Sequence, residues 1–274
     1  MHIVTTIAGS DSGGGAGIQA DLKTFQELEV FGTSVITALT AQNTTGVTGV
    51  FPIDISFVEK QFQALVEDFP IAAMKTGMLY SSGIIQAIAR MIGELNIPLI
   101  VDPVMIAKGG ESLLQQEAIE ALRSSLLPLA TIVTPNIPEA EALTGRTIRH
   151  FEDMKQVAQS FLQLGVQCVI LKGGHLAEPL YAIDYVFFKN GQSFSMQSPR
   201  IQTKNTHGTG CTFSAALTAF LGRGLAMKEA IIEAKKFIQL AIMHDLSIGN
   251  GHGPTNHFAY QQHKETCEVI IHET

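Results

Sequence analysis

The run Asn205-Thr206-His207-Gly208-Thr209-Gly210-Cys211 opens into an apolar stretch that reads as a helix. Gly208 and Gly210 let the backbone turn sharply and approach a ligand closely. A helix that starts at about Gly210 or Cys211 aims its free first-turn N–H groups at one spot, which makes an anion site. The helix dipole adds roughly 0.3–1 kcal/mol for an anion held there. Cys211 falls in that first turn, so its thiol is expected to have a depressed pKa and to act as a base or to orient a hydroxyl. Gly208, Thr209, Gly210 and Cys211 are the catalytic candidates, and the chemistry they suggest is transfer of a phosphoryl group to a small alcohol.

Other chemistry-bearing residues follow apolar segments. Gly9–Gly17 contains Gly15-Ala16-Gly17-Ile18-Gln19-Ala20, which fits the dinucleotide fingerprint G-x-G-x-x-G/A. That fingerprint also needs an acidic residue after the second strand, and here the strand ends in Thr40-Ala41-Gln42-Asn43. A nicotinamide cofactor is therefore not expected, and the loop reads as the wall of a substrate pocket with Asp11 as a polar contact. Gln42 offers both a donor and an acceptor, which suits the edge of a heterocycle, or it is a turn residue. Met78 packs on an aromatic ligand or in the core. Asp102-Pro103-Val104, followed by Lys108-Gly109-Gly110, suits magnesium and phosphate handling. Asn136-x-x-Glu139 can hold a hydrated magnesium ion, or Glu139 is a charge favoured at a helix start. Lys172-Gly173-Gly174 can meet a nucleotide phosphate. Neither Gly-Lys-Ser nor Gly-Lys-Thr occurs, so a kinase built on this chain has no Walker P-loop. The turn-rich segment 249–257 has no assigned chemistry.

The elements that must position these residues alternate. Strands are expected over His2–Ala8, Ser34–Thr40, Ala72–Thr76, Leu99–Val104, Thr131–Thr134 and Cys168–Leu171. Helices are expected over Ile18–Val30, Phe57–Glu67, Ile84–Glu94, about Gln115–Leu126 and Met154–Leu164. Short continuous apolar strands in this order indicate a parallel sheet covered on both faces. Tyr181–Lys189 and Ser193–Gln197 flank Asn190-Gly191 and read as an antiparallel edge hairpin. Two helices follow, about Cys211–Arg223 and Met227–His244, and the tail beyond about Tyr260 is polar and peripheral. In an open parallel sheet, ligands bind beyond the C-terminal strand ends, where the candidate residues fall.

The 274 residues are 46% hydrophobic and 16% charged, an ordinary globular composition. The net charge is −7 and no run of Lys or Arg occurs, which argues against nucleic acid. No stretch reaches membrane-span length and the start is not a signal peptide. Cys168, Cys211 and Cys267 form no Cys-x-x-Cys pair, so a reducing cytoplasm is the expected setting. Cys168 reads as core and Cys267 as an idle tail residue.

Taken together, the chain resembles the ribokinase-like superfamily, and within it the hydroxymethylpyrimidine/phosphomethylpyrimidine kinases of thiamine synthesis. The resemblance runs from about residue 3 to 260 and rests on AGSDSGGGAGIQADLKTF, TALTAQNT, MKTGM, VDPVMIAKGG, TPNIPEAEALTG, LKGGH, THGTGCTFSAA and GHGPTNHFAY. It implies one three-layer α/β/α kinase domain over 1–262, with a polar tail over 263–274. It implies ATP and Mg2+, and phosphorylation of 4-amino-5-hydroxymethyl-2-methylpyrimidine and then of its monophosphate. Pyridoxal or pyridoxine is the alternative alcohol. By the same resemblance Gln42 holds the pyrimidine edge, while Ala16, Met78 and Val104 line the ring. Gly208 to Cys211 form the anion hole. Asn136 and Glu139 organise magnesium, through water. Lys172, Asp102 and Lys108 attend the nucleotide phosphates, and the partner is a second copy in a homodimer. Where many sugar-kinase relatives carry Asp as base, this chain has Cys211.

Overall fold

Leu99-Ile100-Val101, three apolar residues with no accessible surface, form the strand at the middle of a ten-stranded sheet. Such a run fits only a strand covered on both faces. The computed structural model describes residues 1–105, 116–173 and 180–273. Its strands are β1 (Ile3–Asp11), β2 (Phe31–Asn43), β3 (Gly46–Pro52), β4 (Ile71–Thr76), β5 (Leu99–Val101), β6 (Ile132–Val133), β7 (Cys168–Lys172), β8 (Tyr181–Phe188), β9 (Ser193–Pro199) and β10 (Ile270–Glu273). They lie in the order β10-β9-β8-β7-β6-β5-β4-β1-β2-β3. The stretch from β7 to β2 is parallel, and both edges are antiparallel.

Helices cover both faces. One apolar core lies beneath α2 (Ile55–Asp68), α3 (Ser82–Ile92), α4 (Gln116–Ala121), α5 (Ile137–Thr144) and α6 (Phe151–Gln163). The other lies beneath α1 (Gly17–Glu27), α7 (Thr209–Gly222), α8 (Met227–Met243) and α9 (Ala259–His263). The expected α/β/α class and the edge hairpin at Asn190-Gly191 are both present.

Three local expectations are corrected. The second strand runs on to Asn43 and returns as β3, because the Asn43 side chain accepts bonds from the Thr45 N–H and hydroxyl and closes a tight turn. The helix expected over about 115–126 is α-helical only over Gln116–Ala121; it widens to a π turn over Leu122–Leu126 and then tightens to a 3-10 turn over Leu127–Leu129, where Pro128 brings no N–H donor. The tail beyond Tyr260 is peripheral, as expected, but it is tied down: β10 pairs with β9 as the last strand of the sheet. Cys267, expected to be idle, packs partly buried against the second core.

Candidate active site

The C-terminal ends of the parallel strands carry Asp11, Gln42, Lys75 and Lys172, Asp102 follows β5 directly, and Asn136 lies three residues past the end of β6. Above them stands the first turn of α7. Its cap, Gly208, has φ +79°, and a β-carbon there would lie 1.7 Å from the Gly15 carbonyl oxygen. Only glycine fits, and the close approach seats the α7 loop on the first Gly-rich loop beside Ala16. A β-carbon on Gly210 would stand 3.3 Å from Lys172 Nζ and 3.4 Å from Asp102 Oδ2. The helix start, the lysine and the carboxylate therefore converge on one point.

Asp102 is buried, and its Oδ1 accepts from Lys172 Nζ at 3.1 Å while Oδ2 accepts from Ser214 Oγ at 3.3 Å. Burial pulls the Lys172 ammonium down, but Asp102 and Glu139 outweigh it, so its pKa is raised and the charge persists. Glu139 and Asn136 form a reciprocal cap on α5: Asn136 N–H donates to Glu139 Oε2 at 2.8 Å, and Glu139 N–H donates to Asn136 Oδ1 at 2.9 Å. Burial pushes Glu139 up to about 7, against the opposing pull of Lys172. The pair is thus the reciprocal cap of α5, the helix-start reading of Glu139, and its carboxyl feels the charges of Lys172 and Asp102. Among the described residues no three His, Cys, Asp or Glu side chains gather into a metal cage. Magnesium does not require one, since it keeps several waters and takes one or two carboxylates along with substrate phosphates.

Cys211 departs from expectation. Its thiol is not acidic; burial pushes it up to about 12, and Asp21 and Asp102 add to this against Lys75 and the Gly17 N–H. The dipole of one helix start does not offset this desolvation. Lys75 and Asp21 form an ion pair of 2.8 Å with no accessible surface, and the Thr6 hydroxyl donates to Asp21 at 2.6 Å. Burial lowers the Lys75 pKa less than Asp21, Cys211 and Asp102 together raise it, so the ammonium stays charged. Lys75 is a site residue to which the sequence alone assigns no role. The signal was a lysine inside the apolar strand Ile-Ala-Ala-Met-Lys-Thr.

Asp11 has partners within the protein. It is buried, and its oxygens accept from Gly13, Gly15 and Ala16 N–H and pair with His207 Nε2 at 2.9 Å. Burial raises its pKa less than His207 and these amides lower it, so it is an ionised brace for the loop, facing inward. Ala16, Gln42, Met78, Val104, Lys172 and Gly208 to Cys211 are all half-buried. Met78 lies over Gly9, and Gln42 Nε2 lies 3.3 Å from His207 Nε2. Val104 stands two residues past Asp102, near the limit of the described residues, and Lys108, Gly174 and His175 lie outside them. Cys168 is buried in β7, as expected. The segment 249–257 packs against the site: His252 N–H donates to the Thr44 carbonyl, His207 N–H donates to the Gly253 carbonyl, and buried His257 lies 3.0 Å from the Thr212 hydroxyl.

The chain matches the family described as phosphomethylpyrimidine kinase over residues 11–256. It is 53% identical over 262 residues to the hydroxymethylpyrimidine/phosphomethylpyrimidine kinase of Haemophilus influenzae, covering 94% of this chain and 97% of that one. It is 52% identical over 264 residues to the protein of the same name from Bacillus subtilis, covering 96% and 97%. Among solved structures it is similar to the pyridoxal kinase from Staphylococcus aureus in complex with AMP-PCP and pyridoxal, with a TM-score of 0.90, 36% identity and full coverage of both chains. A helix start that can cradle a phosphoryl group fits these relatives, and the chain belongs to the phosphomethylpyrimidine kinase family and is a kinase.

Proposed function

We propose that this kinase transfers the terminal phosphoryl group of ATP to the hydroxymethyl oxygen of 4-amino-5-hydroxymethyl-2-methylpyrimidine, and a second one to the resulting monophosphate. The observation that carries this reading is the convergence of the α7 first turn, Lys172 and Asp102 on Gly210. The first-turn N–H groups of α7 receive the transferring group, and each well-aimed donor of this kind is worth roughly 10²–10³ in rate. Lys172 neutralises phosphate charge, and Asp102 holds the ammonium in place. Glu139, Asn136 and Asp102 would hold magnesium through water, and the ion would supply neutralisation of phosphate charge. Phosphoryl transfer through a loose transition state asks little of a base. The Cys211 thiol accordingly orients the hydroxyl and takes no proton. Gln42 meets the pyrimidine edge, with Ala16, Met78 and Val104 along the ring. Asp11 holds the loop that carries Ala16, and Lys108 covers the phosphates.

The same reading sets the enzyme in the cytoplasm, in keeping with three free cysteines. It also pairs two copies through the exposed Leu39 and Phe51, which lie opposite each other on β2 and β3.

Likeness to the Staphylococcus aureus pyridoxal kinase supports pyridoxal as a second alcohol. Purified protein with Mg–ATP is expected to release ADP with a higher kcat/KM on the pyrimidine alcohol than on pyridoxal. The reverse order would overturn the assigned substrate.

A further inference from the structure

Lys235 of α8 and Asp184 of β8 form a second buried ion pair, at 2.8 Å. Apolar side chains of the same volume often hold a fold as well as a buried ion pair does, so stability alone does not account for it. The carboxylate has a second partner. Its Oδ2 accepts from Lys235 Nζ, while its Oδ1 accepts from the Gly173 N–H at 3.0 Å. Lys235 Nζ also donates to the Ala182 carbonyl at 3.4 Å, which keeps the ammonium against β8. Ammonium and amide only donate, and a carboxylate only accepts, so each contact has one possible sense.

Gly173 directly follows Lys172. Lys172 is the last residue of β7 paired with β8, and the residue opposite it is Asp184 itself. The Asp184 side chain thus takes up the amide just past the end of the ladder. From the other neighbour, the Lys172 N–H donates to the Pro135 carbonyl at 2.9 Å, beyond the end of β6. The main chain at Lys172-Gly173 is therefore gripped from both sides. From that fixed base the Lys172 ammonium reaches Asp102 at 3.1 Å, beside Gly210 of α7. One polar chain runs from α8 to the site, through Lys235, Asp184, Gly173-Lys172 and Asp102.

We propose that Asp184 is a positioning residue for nucleotide binding: its carboxylate, oriented by Lys235, holds the Gly173 N–H and so fixes the backbone from which Lys172 reaches the phosphates of ATP. This inference rests on Lys172 meeting those phosphates.

Two double variants separate the hydrogen bond from the ion pair. Asp184→Asn with Lys235→Met removes both charges but keeps an oxygen for Gly173, and KM for ATP is expected to stay within about twofold of the wild type. Asp184→Leu with Lys235→Met removes the same charges and the acceptor too. It is expected to raise KM for ATP about tenfold, the worth of one lost hydrogen bond, with KM for the pyrimidine alcohol unchanged. Equal KM for ATP in the two variants, or a joint rise in both Michaelis constants, overturns the proposal. Lys172→Met tests the reading beneath it: if KM for ATP does not move, Lys172 does not meet the phosphates, and the inference falls with that reading. Amide exchange in the wild type, followed by NMR, is free of any folding defect in the variants. The Gly173 N–H is expected to exchange as slowly as the amides of β7, and exchange at the rate of an open loop overturns the proposal.

Discussion

A half-buried sulfur beside the Gly17 amide, in the field of the Lys75 ammonium and the Asp21 and Asp102 carboxylates, is a thiol at neutral pH. Its position in the first turn of α7 is visible in the sequence, and the cost of burying a thiolate there is not. That cost depends on which side chains close over the site, and Asp21 and Lys75 come from elements far apart in the chain. With its pKa pushed up to about 12, Cys211 is expected to react with iodoacetamide at pH 8 about a thousandfold more slowly than an ordinary cysteine. Peptide mapping by mass spectrometry reads the rate. Alkylation at the rate of free cysteine would show a thiolate and restore the role of base. Asp11 teaches the same lesson, since the sequence shows a carboxylate in a glycine-rich loop, and only the fold shows the amides that face it.

Elements were more legible than side chains. Continuous apolar runs such as Leu99-Ile100-Val101 leave no choice but a covered strand, and the strand ends then gather Gln42, Asp102 and Lys172 by topology alone. The hairpin β2–β3 was not legible, because Val50 and Phe51 are exposed and show no buried face to set a period. The Lys75–Asp21 pair ties β4 to α1 beneath the first turn of α7. Replacing one member of a buried pair strands the other charge, so Lys75→Met is expected to cost about 3–5 kcal/mol of stability. Urea unfolding followed by circular dichroism measures it. A loss under about 1 kcal/mol would mean that Asp21 finds another partner and that the pair does not fasten α1 to β4.

On the scale of the whole molecule, one sheet with antiparallel edges presents all its strand-end chemistry on a single rim, and α7 roofs it. At one edge, β10 is short and closes the sheet. At the other, Phe51 of β3 and Leu39 opposite it on β2 are exposed, an uncovered hydrophobic pair of the kind that marks an interface. Light scattering is expected to give twice the chain mass for the wild type and the monomer mass for Phe51→Glu. A wild-type monomer at micromolar concentration would remove the proposed pairing. The central claim is that the cradle at Gly208–Cys211 passes phosphoryl groups to a pyrimidine alcohol, and phosphorus NMR of one reaction tests it most directly. With Mg–ATP and the pyrimidine alcohol, a phosphomonoester resonance is expected to appear first and a diphosphate pair to follow as ADP accumulates. Accumulation of inorganic phosphate with no phosphoester would contradict the account.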